Sequence, residues 1–256
     1  MTHTDAMIEA DRLSKRYEDG ILALDEVSFA VAPGEIFAML GANGAGKTTT
    51  INIFLNFIDP TEGEARIAGV PTHRDPLEAK RKVAYVSENV TLYPNFTALQ
   101  NLDYFARLGG QRHLVRDDYR SVLRRVGLQD SAHEKRLKTF SKGMRQKCGI
   151  AIAILKDAPA ILLDEPTAGL DPQAAYEFQR LLSTLRDEGK AILMSTHDIF
   201  RAREVSDSIG ILNRGRLVMK ESASALAGED LEQLYLRHMA GHASGPGVPQ
   251  QAGVEQ

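Results

Sequence analysis

Gly41-Ala42-Asn43-Gly44-Ala45-Gly46-Lys47-Thr48-Thr49 decides how the rest of the chain is read. It fits G-x-x-x-x-G-K-[ST], the P-loop pattern. There the glycines let backbone N–H groups close around a polyphosphate, the lysine reaches the terminal phosphates, and the hydroxyl holds Mg²⁺. The apolar run Ile36-Phe37-Ala38-Met39-Leu40 precedes it, and a helix-compatible segment, Thr48 to Phe57, follows. Strand, cradle and helix in that order aim the positive end of the helix at an anion. A glycine-rich turn matching by chance is the competing reading, and the agreement at Gly41, Gly44, Gly46, Lys47 and Thr48 weighs against it. The stretch predicts binding of a nucleoside triphosphate.

Working outward, weak strand character from Met7 to Leu13, the turn Glu18-Asp19-Gly20 and the alternation within Ile21 to Val31 predict an antiparallel hairpin ahead of the loop. Downstream, Pro60 to Gly63 closes the first helix, and a short strand is expected at Glu64 to Ala68. Asp75-Pro76 can open a helix before the buried strand Val83 to Val86. After Pro94 the character changes. Thr97 and Gln100 form a capping-box pattern; Leu99, Leu102, Tyr104, Phe105 and Leu108 make a helical stripe that Gly109-Gly110 ends. Further helices are expected from about Leu114 to Val126 and from Ser141, so the chain from Asn89 to about Lys156 reads as an all-helical insertion. Strands at Ala160 to Leu163 and Ala191 to Ser195 flank a helix opened by Pro172, then come a hairpin around Asn213-Arg214-Gly215 and short helices near Ala223 and at Leu231 to Met239. This alternation predicts an α/β protein with a mostly parallel sheet covered on both faces.

An acidic pair, Asp164-Glu165, ends the apolar strand at Leu163. Beside a P-loop such a pair can divide the work, the aspartate holding hydrated Mg²⁺ and the glutamate polarising the water that attacks the γ-phosphate. His197 follows the next strand at the same edge and can hydrogen-bond the γ-phosphate, although a lone histidine is more often structural. Cys148 shares a helical stripe with Met144, Ala151 and Leu155, which predicts core packing, and Arg116, Arg120, Arg124 and Arg125 read as a solvated helix face.

The bulk numbers exclude several classes. With 31 Lys+Arg against 34 Asp+Glu, the formal charge of -3 gives no broad nucleic-acid footprint. The single cysteine cannot form an intramolecular disulfide, so a reducing compartment is expected. No apolar run approaches the ~20 residues of a membrane-spanning helix, and the start lacks signal-peptide character. Any membrane contact is therefore expected to go through another protein.

With these motifs in hand the chain resembles the ATP-binding subunits of ABC transporters over roughly residues 7 to 225. Gly41 to Thr49 matches the Walker A motif, Ile161 to Glu165 the Walker B motif with its catalytic glutamate, Ala168-Gly169-Leu170-Asp171 the D-loop, and His197 the switch histidine. Phe140-Ser141-Lys142-Gly143-Met144-Arg145-Gln146 is similar to the signature Leu-Ser-Gly-Gly-Gln, and Tyr17 stands where an aromatic stacks on adenine. The resemblance implies a P-loop NTPase (RecA-like) core with an N-terminal antiparallel β subdomain and an inserted α-helical signature subdomain at about 89–156. It places one cassette over 1–240 and leaves 241–256 as a disordered tail. It also implies ATP and Mg²⁺ as ligands, with nucleotide contacts at Tyr17, Gly41, Ala42, Asn43, Gly44, Ala45, Gly46, Lys47, Thr48, Thr49, Ser141 and Gly143. Metal contacts fall to Thr48, Asp164 and Glu88, and catalysis to Glu165 and His197.

A helix N-cap at Ser141 on a separate subdomain cannot reach its own P-loop, so the signature must serve a neighbour. The resemblance accordingly implies a head-to-tail homodimer of ATPase subunits. It also implies an integral membrane transporter subunit as partner and a peripheral place on the cytoplasmic face of the membrane, with no nucleic acid expected. Two departures stand out: Lys142 and Met144 replace the usual glycine and glutamine of the signature, and Glu88 stands in place of the Q-loop glutamine. The stretches around Glu88 and Ser141 resemble single-cassette exporter subunits of copper-maturation, multidrug, sodium or polysaccharide systems. The alternatives are a soluble ABC ATPase acting on ribosomes or DNA, or a catalytically weak regulatory module. The cargo belongs to the membrane partner.

Overall fold

The computed structural model describes residues 6–240. The expected tail at 241–256 lies outside the described residues. Strands β1 (Ile8–Arg16) and β2 (Leu22–Val31) pair antiparallel, as the hairpin reading predicts. Strand β3 (Ile36–Leu40) runs into helix α1 (Lys47–Phe54). The helix stops short of the expected Phe57, because Asn56 adopts a left-handed φ of 50° and L side chains break helical progression there. Strands β4 (Glu62–Ile67) and β5 (Val70–Pro71) complete a four-stranded sheet in the order β2-β1-β4-β5. Helix α2 (Pro76–Arg81) is capped by Asp75, whose side chain accepts from the Glu78 N–H, and β6 (Val83–Val86) follows.

Between β6 and the next strand the regular elements are helical: α3 (Ala98–Leu108), α4 (Arg116–Arg125), the short α5 (Asp130–His133) and α6 (Lys142–Lys156). The capping box forms as expected, with Thr97 Oγ1 accepting from the Gln100 N–H and Gln100 Oε1 from the Thr97 N–H. The buried face of α3 differs from the expected stripe. Ala98, Leu99, Leu102 and Ala106 pack inward, while Tyr104 and Leu108 are exposed. Asn101 is fully buried among them, its amide satisfied by the backbone of Tyr93 and Thr97.

The chain returns to the core through β7 (Ala160–Asp164), α7 (Pro172–Asp187), β8 (Ala191–Thr196), α8 (Ile199–Val205), β9 (Ser208–Asn213), β10 (Arg216–Ser222) and α9 (Leu231–Ala240). Turns, and no helix, occupy the region near Ala223, whereas α8 was not anticipated. The six-stranded sheet runs β10-β9-β3-β8-β7-β6, parallel from β9 to β6 with β10 antiparallel at one edge.

Alternation along the central strands builds two cores. Ile36, Ala38, Leu40, Ile161, Leu163, Ile192 and Met194 face the layer holding α6 and α7. Phe37, Met39, Leu162 and Leu193 face α1 and the antiparallel sheet. Both faces of a strand buried in this way are what a continuous apolar run signals. On the second face the rings of Phe37 and Phe54 close on Phe29 at 5.0 and 5.9 Å, which wedges α1 between the sheets. The C-terminal ends of β3, β7 and β8 are thereby left side by side at one edge.

Candidate functional site

Gly46 caps α1 with a φ of 111°, and a Cβ there would stand 2.7 Å from both the Ala23 carbonyl oxygen and Leu24 Cδ2. Only glycine satisfies that conformation and that approach together. Two further backbone bonds seat the loop against the hairpin at its far side: the Gly215 N–H donates to Ala45 O at 2.9 Å, and the Asp25 N–H donates to Gly215 O at 2.8 Å. Lys47 is buried at 6% exposure and turns back along the loop, its Nζ donating to Gly41 O at 2.7 Å and Ala42 O at 3.2 Å. A buried ammonium also requires a counter-charge. Glu165 supplies it, with Oε1 3.2 Å from Nζ.

The register of β7 on β8 sets Asp164 opposite Ser195. The Ser195 hydroxyl donates to Asp164 Oδ1 at 2.6 Å, and the Thr48 hydroxyl, one residue beyond the lysine, donates to Oδ2 at 3.3 Å. Glu165 then adopts a left-handed φ of 47°, which costs a non-glycine residue about 1–3 kcal/mol. Its N–H donates to Ser195 O at 3.2 Å and Oγ at 3.0 Å, and these bonds hold the strained turn. The turn sends one carboxylate oxygen to Lys47 and brings the other within 2.9 Å of His197 Nδ1, just past the end of β8. On β6 the Tyr85 phenol is pushed up to about 12, first by burial and then by the charge of Asp164.

Lys47, Thr48, Asp164, Glu165 and His197 are therefore brought together. Tyr17 stands beside the loop with its hydroxyl 3.4 Å from Thr49 Oγ1. Ser141 is the N-cap of α6, accepting from the Met144 N–H at 3.2 Å, and a Cβ on Gly143 would stand 3.6 Å from Leu170 and Ala174. Among the described residues no hydrogen bond or ion pair joins Ser141 or Gly143 to the 41–49 loop. Asp171 caps α7 by accepting from the Ala174 N–H at 2.9 Å. Glu88 lies 3.6 Å from Lys142 Nζ. The expected stripe of α6 holds for Cys148, which is fully buried. The arginines of α4 are ion-paired, Arg116 and Arg120 with Glu134, Arg124 with Asp130 and Arg125 with Glu188.

A sequence model of the family described as ABC transporter matches residues 24–168, more than half of the chain. The protein belongs to this family. It is 34% identical over 239 residues to the ABC transporter ATP-binding protein NatA of Bacillus subtilis (strain 168), covering 90% of this chain and 97% of that one. The Nod factor export ATP-binding protein I of Paraburkholderia xenovorans (strain LB400) is 34% identical over 227 residues, 89% of this chain and 74% of the relative. Among solved structures, the dimeric MJ0796, a bacterial ABC transporter cassette, superposes with a TM-score of 0.76 at 29% identity, covering 85% of this chain and 99% of the other. The chain is the ATP-binding subunit of an ABC transporter, of the kind that powers transport through a separate membrane subunit. Among the described residues no helix of the cassette is long and apolar enough to cross a membrane.

Ser195 escaped the sequence reading. It was visible as a polar residue ending an apolar strand, but its role depends on the β7–β8 register. The pairing of Glu88 with Lys142 likewise joins residues far apart in the chain.

Proposed function

We propose that the cassette hydrolyses ATP to ADP and phosphate at the edge formed by β3, β7 and β8, and that turnover drives export through a membrane subunit. The observation that carries this is the Glu165 carboxylate shared between Lys47 and His197. A bound triphosphate takes the Lys47 ammonium from the Gly41 and Ala42 carbonyls and from Glu165, which frees Oε1 to face a water. Glu165 accepts a proton from that water as its oxygen bonds to the γ-phosphorus and the bond to the ADP oxygen breaks. His197 fixes the carboxylate from the other side. The loop N–H groups and the N-terminus of α1 hold the phosphates, and Tyr17 stacks on the adenine.

Thr48 Oγ1 and Asp164 Oδ2 are hard oxygen donors 3.3 Å apart. That sparse set suits Mg²⁺, which keeps several waters and binds through one or two protein oxygens plus phosphates. When bound, the ion offsets charge on the phosphate oxygens. Glu88 is paired instead with Lys142, and among the described residues no hydrogen bond or ion pair joins it to Thr48 or Asp164.

In this reading the cassette spans 1–240 with the helices of 89–156 as its inserted signature subdomain. Ser141 and Gly143, which make no hydrogen bond or ion pair with their own loop among the described residues, serve the nucleotide of a second copy; the dimeric state of the MJ0796 relative supports this pairing. The protein sits peripherally on the cytoplasmic face of the membrane, without nucleic acid. The export name of the Paraburkholderia relative supports the direction. In the test, Glu165→Gln keeps ATP binding and lowers phosphate release at least about 100-fold; an unchanged rate overturns the assignment.

A further inference from the structure

Lys142, the first residue of α6, meets Glu88, which lies just beyond β6, at 3.6 Å. The contact is not isolated. One turn along the same face of α6, the buried Gln146 directs Nε2 at the Ser87 carbonyl, 3.5 Å away. At Gly149, on the same face again, a Cβ would stand 3.0 Å from Val90 and 3.2 Å from Val86. Residues spaced i, i+4, i+7 share one side of a helix. The segment 86–90 therefore lies along a single stripe of α6, with packing at the inner end, a polar contact in the middle and opposite charges at the solvent end. On its other flank, Lys142 Nζ would stand 3.5 Å from a Cβ on Gly169, in the loop that begins at Glu165. Lys142 is thus the point where the loops after β6 and β7 meet the capped end of α6.

We propose that Lys142 is a positioning residue: held by Glu88, it sets the attitude of the Ser141 end of α6 toward the phosphate-binding edge, so that this end and the 86–90 loop move as one body. The inference rests on the reading that Ser141 serves a neighbour's nucleotide. A partly exposed ion pair adds little stability. What it supplies is direction, since packing at Gly149 fixes only the inner end of the stripe, and salt weakens it.

The test uses the full chain with Lys142→Ala, Lys142→Arg, Glu88→Ala and the exchanged pair Glu88→Lys/Lys142→Glu. Amide hydrogen exchange without nucleotide should quicken at 87–91 in Lys142→Ala and at 142–146 in Glu88→Ala, each about fivefold, and return to within about twofold of wild type in the exchanged pair. Turnover should show kcat about fivefold lower in Lys142→Ala, with affinity for a fluorescent ATP analogue unchanged and rescue by Lys142→Arg. Exchange that stays local to each substitution, or an exchanged pair whose effects simply add, overturns the proposal. Coupled exchange with unchanged kcat overturns it as well, because the pair is then structural only. Should the wild type fail to hydrolyse ATP, the reaction proposed above falls, and ATP-dependent dimerisation takes the place of kcat: Lys142→Ala should weaken it about fivefold, and unchanged dimerisation overturns the proposal.

Discussion

His197 Nδ1 lies 2.9 Å from Glu165 Oε2, while Oε1 of the same carboxylate reaches Lys47 at 3.2 Å. The carboxylate is thus hydrogen-bonded at Oε2, while Oε1 accepts no hydrogen bond and meets the ammonium through charge alone. The histidine is the exposed member of the trio, with 57% of its side chain accessible against 13% for the glutamate, so it can be removed without opening a core. His197→Ala is expected to retain ATP affinity and lose roughly 10- to 100-fold in kcat, because a small misplacement of the base is amplified in the rate. Phosphate-release kinetics at saturating ATP check this, and an unaltered kcat removes His197 from the reaction.

Ser195 acts on Asp164 from behind. Without its hydroxyl, Asp164 Oδ1 loses a 2.6 Å hydrogen bond and the Glu165 N–H loses one of its acceptors. Groups that orient a metal ligand carry about 10- to 100-fold in metal affinity. Ser195→Ala should therefore raise the Mg²⁺ concentration needed for half-maximal turnover by at least about tenfold, with little change in the unfolding midpoint. An unchanged Mg²⁺ requirement would place the metal elsewhere.

Gly46→Ala meets two penalties, the φ of 111° and a Cβ 2.7 Å from the Ala23 carbonyl. Backbone strain and overpacking together predict a loss of at least about 2 kcal/mol in urea unfolding. Wild-type stability in that variant would show that the loop can shift away from β2.

Burial pushes the Cys148 thiol from 9.0 up to about 12. The folded chain thus keeps a proton that the unfolded chain releases above pH 9, so stability complete below that pH falls toward pH 12. The slope from this group is about 1.4 kcal/mol per pH unit. Urea titrations at successive pH values above 9 should fall more steeply for the wild type than for Cys148→Ala; equal slopes would mean that the thiol ionises in place.

What was legible in the sequence is what neighbours in the chain decide. The strand Ile36–Leu40, the Thr97–Gln100 capping box and the Ser141 cap occur where residue type and spacing put them. The Lys47, Asp164, Glu165 and His197 edge was equally readable, since each follows or ends an apolar strand of a parallel sheet. Hidden were the relations set by packing across the fold. Tyr104 and Leu108 fit a helical stripe by period, yet the surface that receives α3 is matched by Ala98, Leu102 and Ala106 and by an asparagine whose acceptors come from a preceding loop. Asn56 ends α1 in the left-handed conformation that asparagine tolerates past a helix end, a stop signal masked by the apolar Phe57 and Ile58 that follow it. Ser195 and Lys142 acquire meaning only through strand register and loop placement.

The bond from Gly215 to the Ala45 carbonyl joins the phosphate cradle to a turn far downstream, and that turn in turn holds Asp25. During synthesis, a nascent chain that has emerged only as far as His197 already carries the cradle glycines, Lys47, Asp164 and Glu165. It lacks the peptide that closes the loop against the hairpin, and it lacks β9, which flanks β3. The cradle is thus seated on the hairpin only once the chain through Gly215 is present, and products truncated before it carry the glycine motif without the bonds that hold the loop in place.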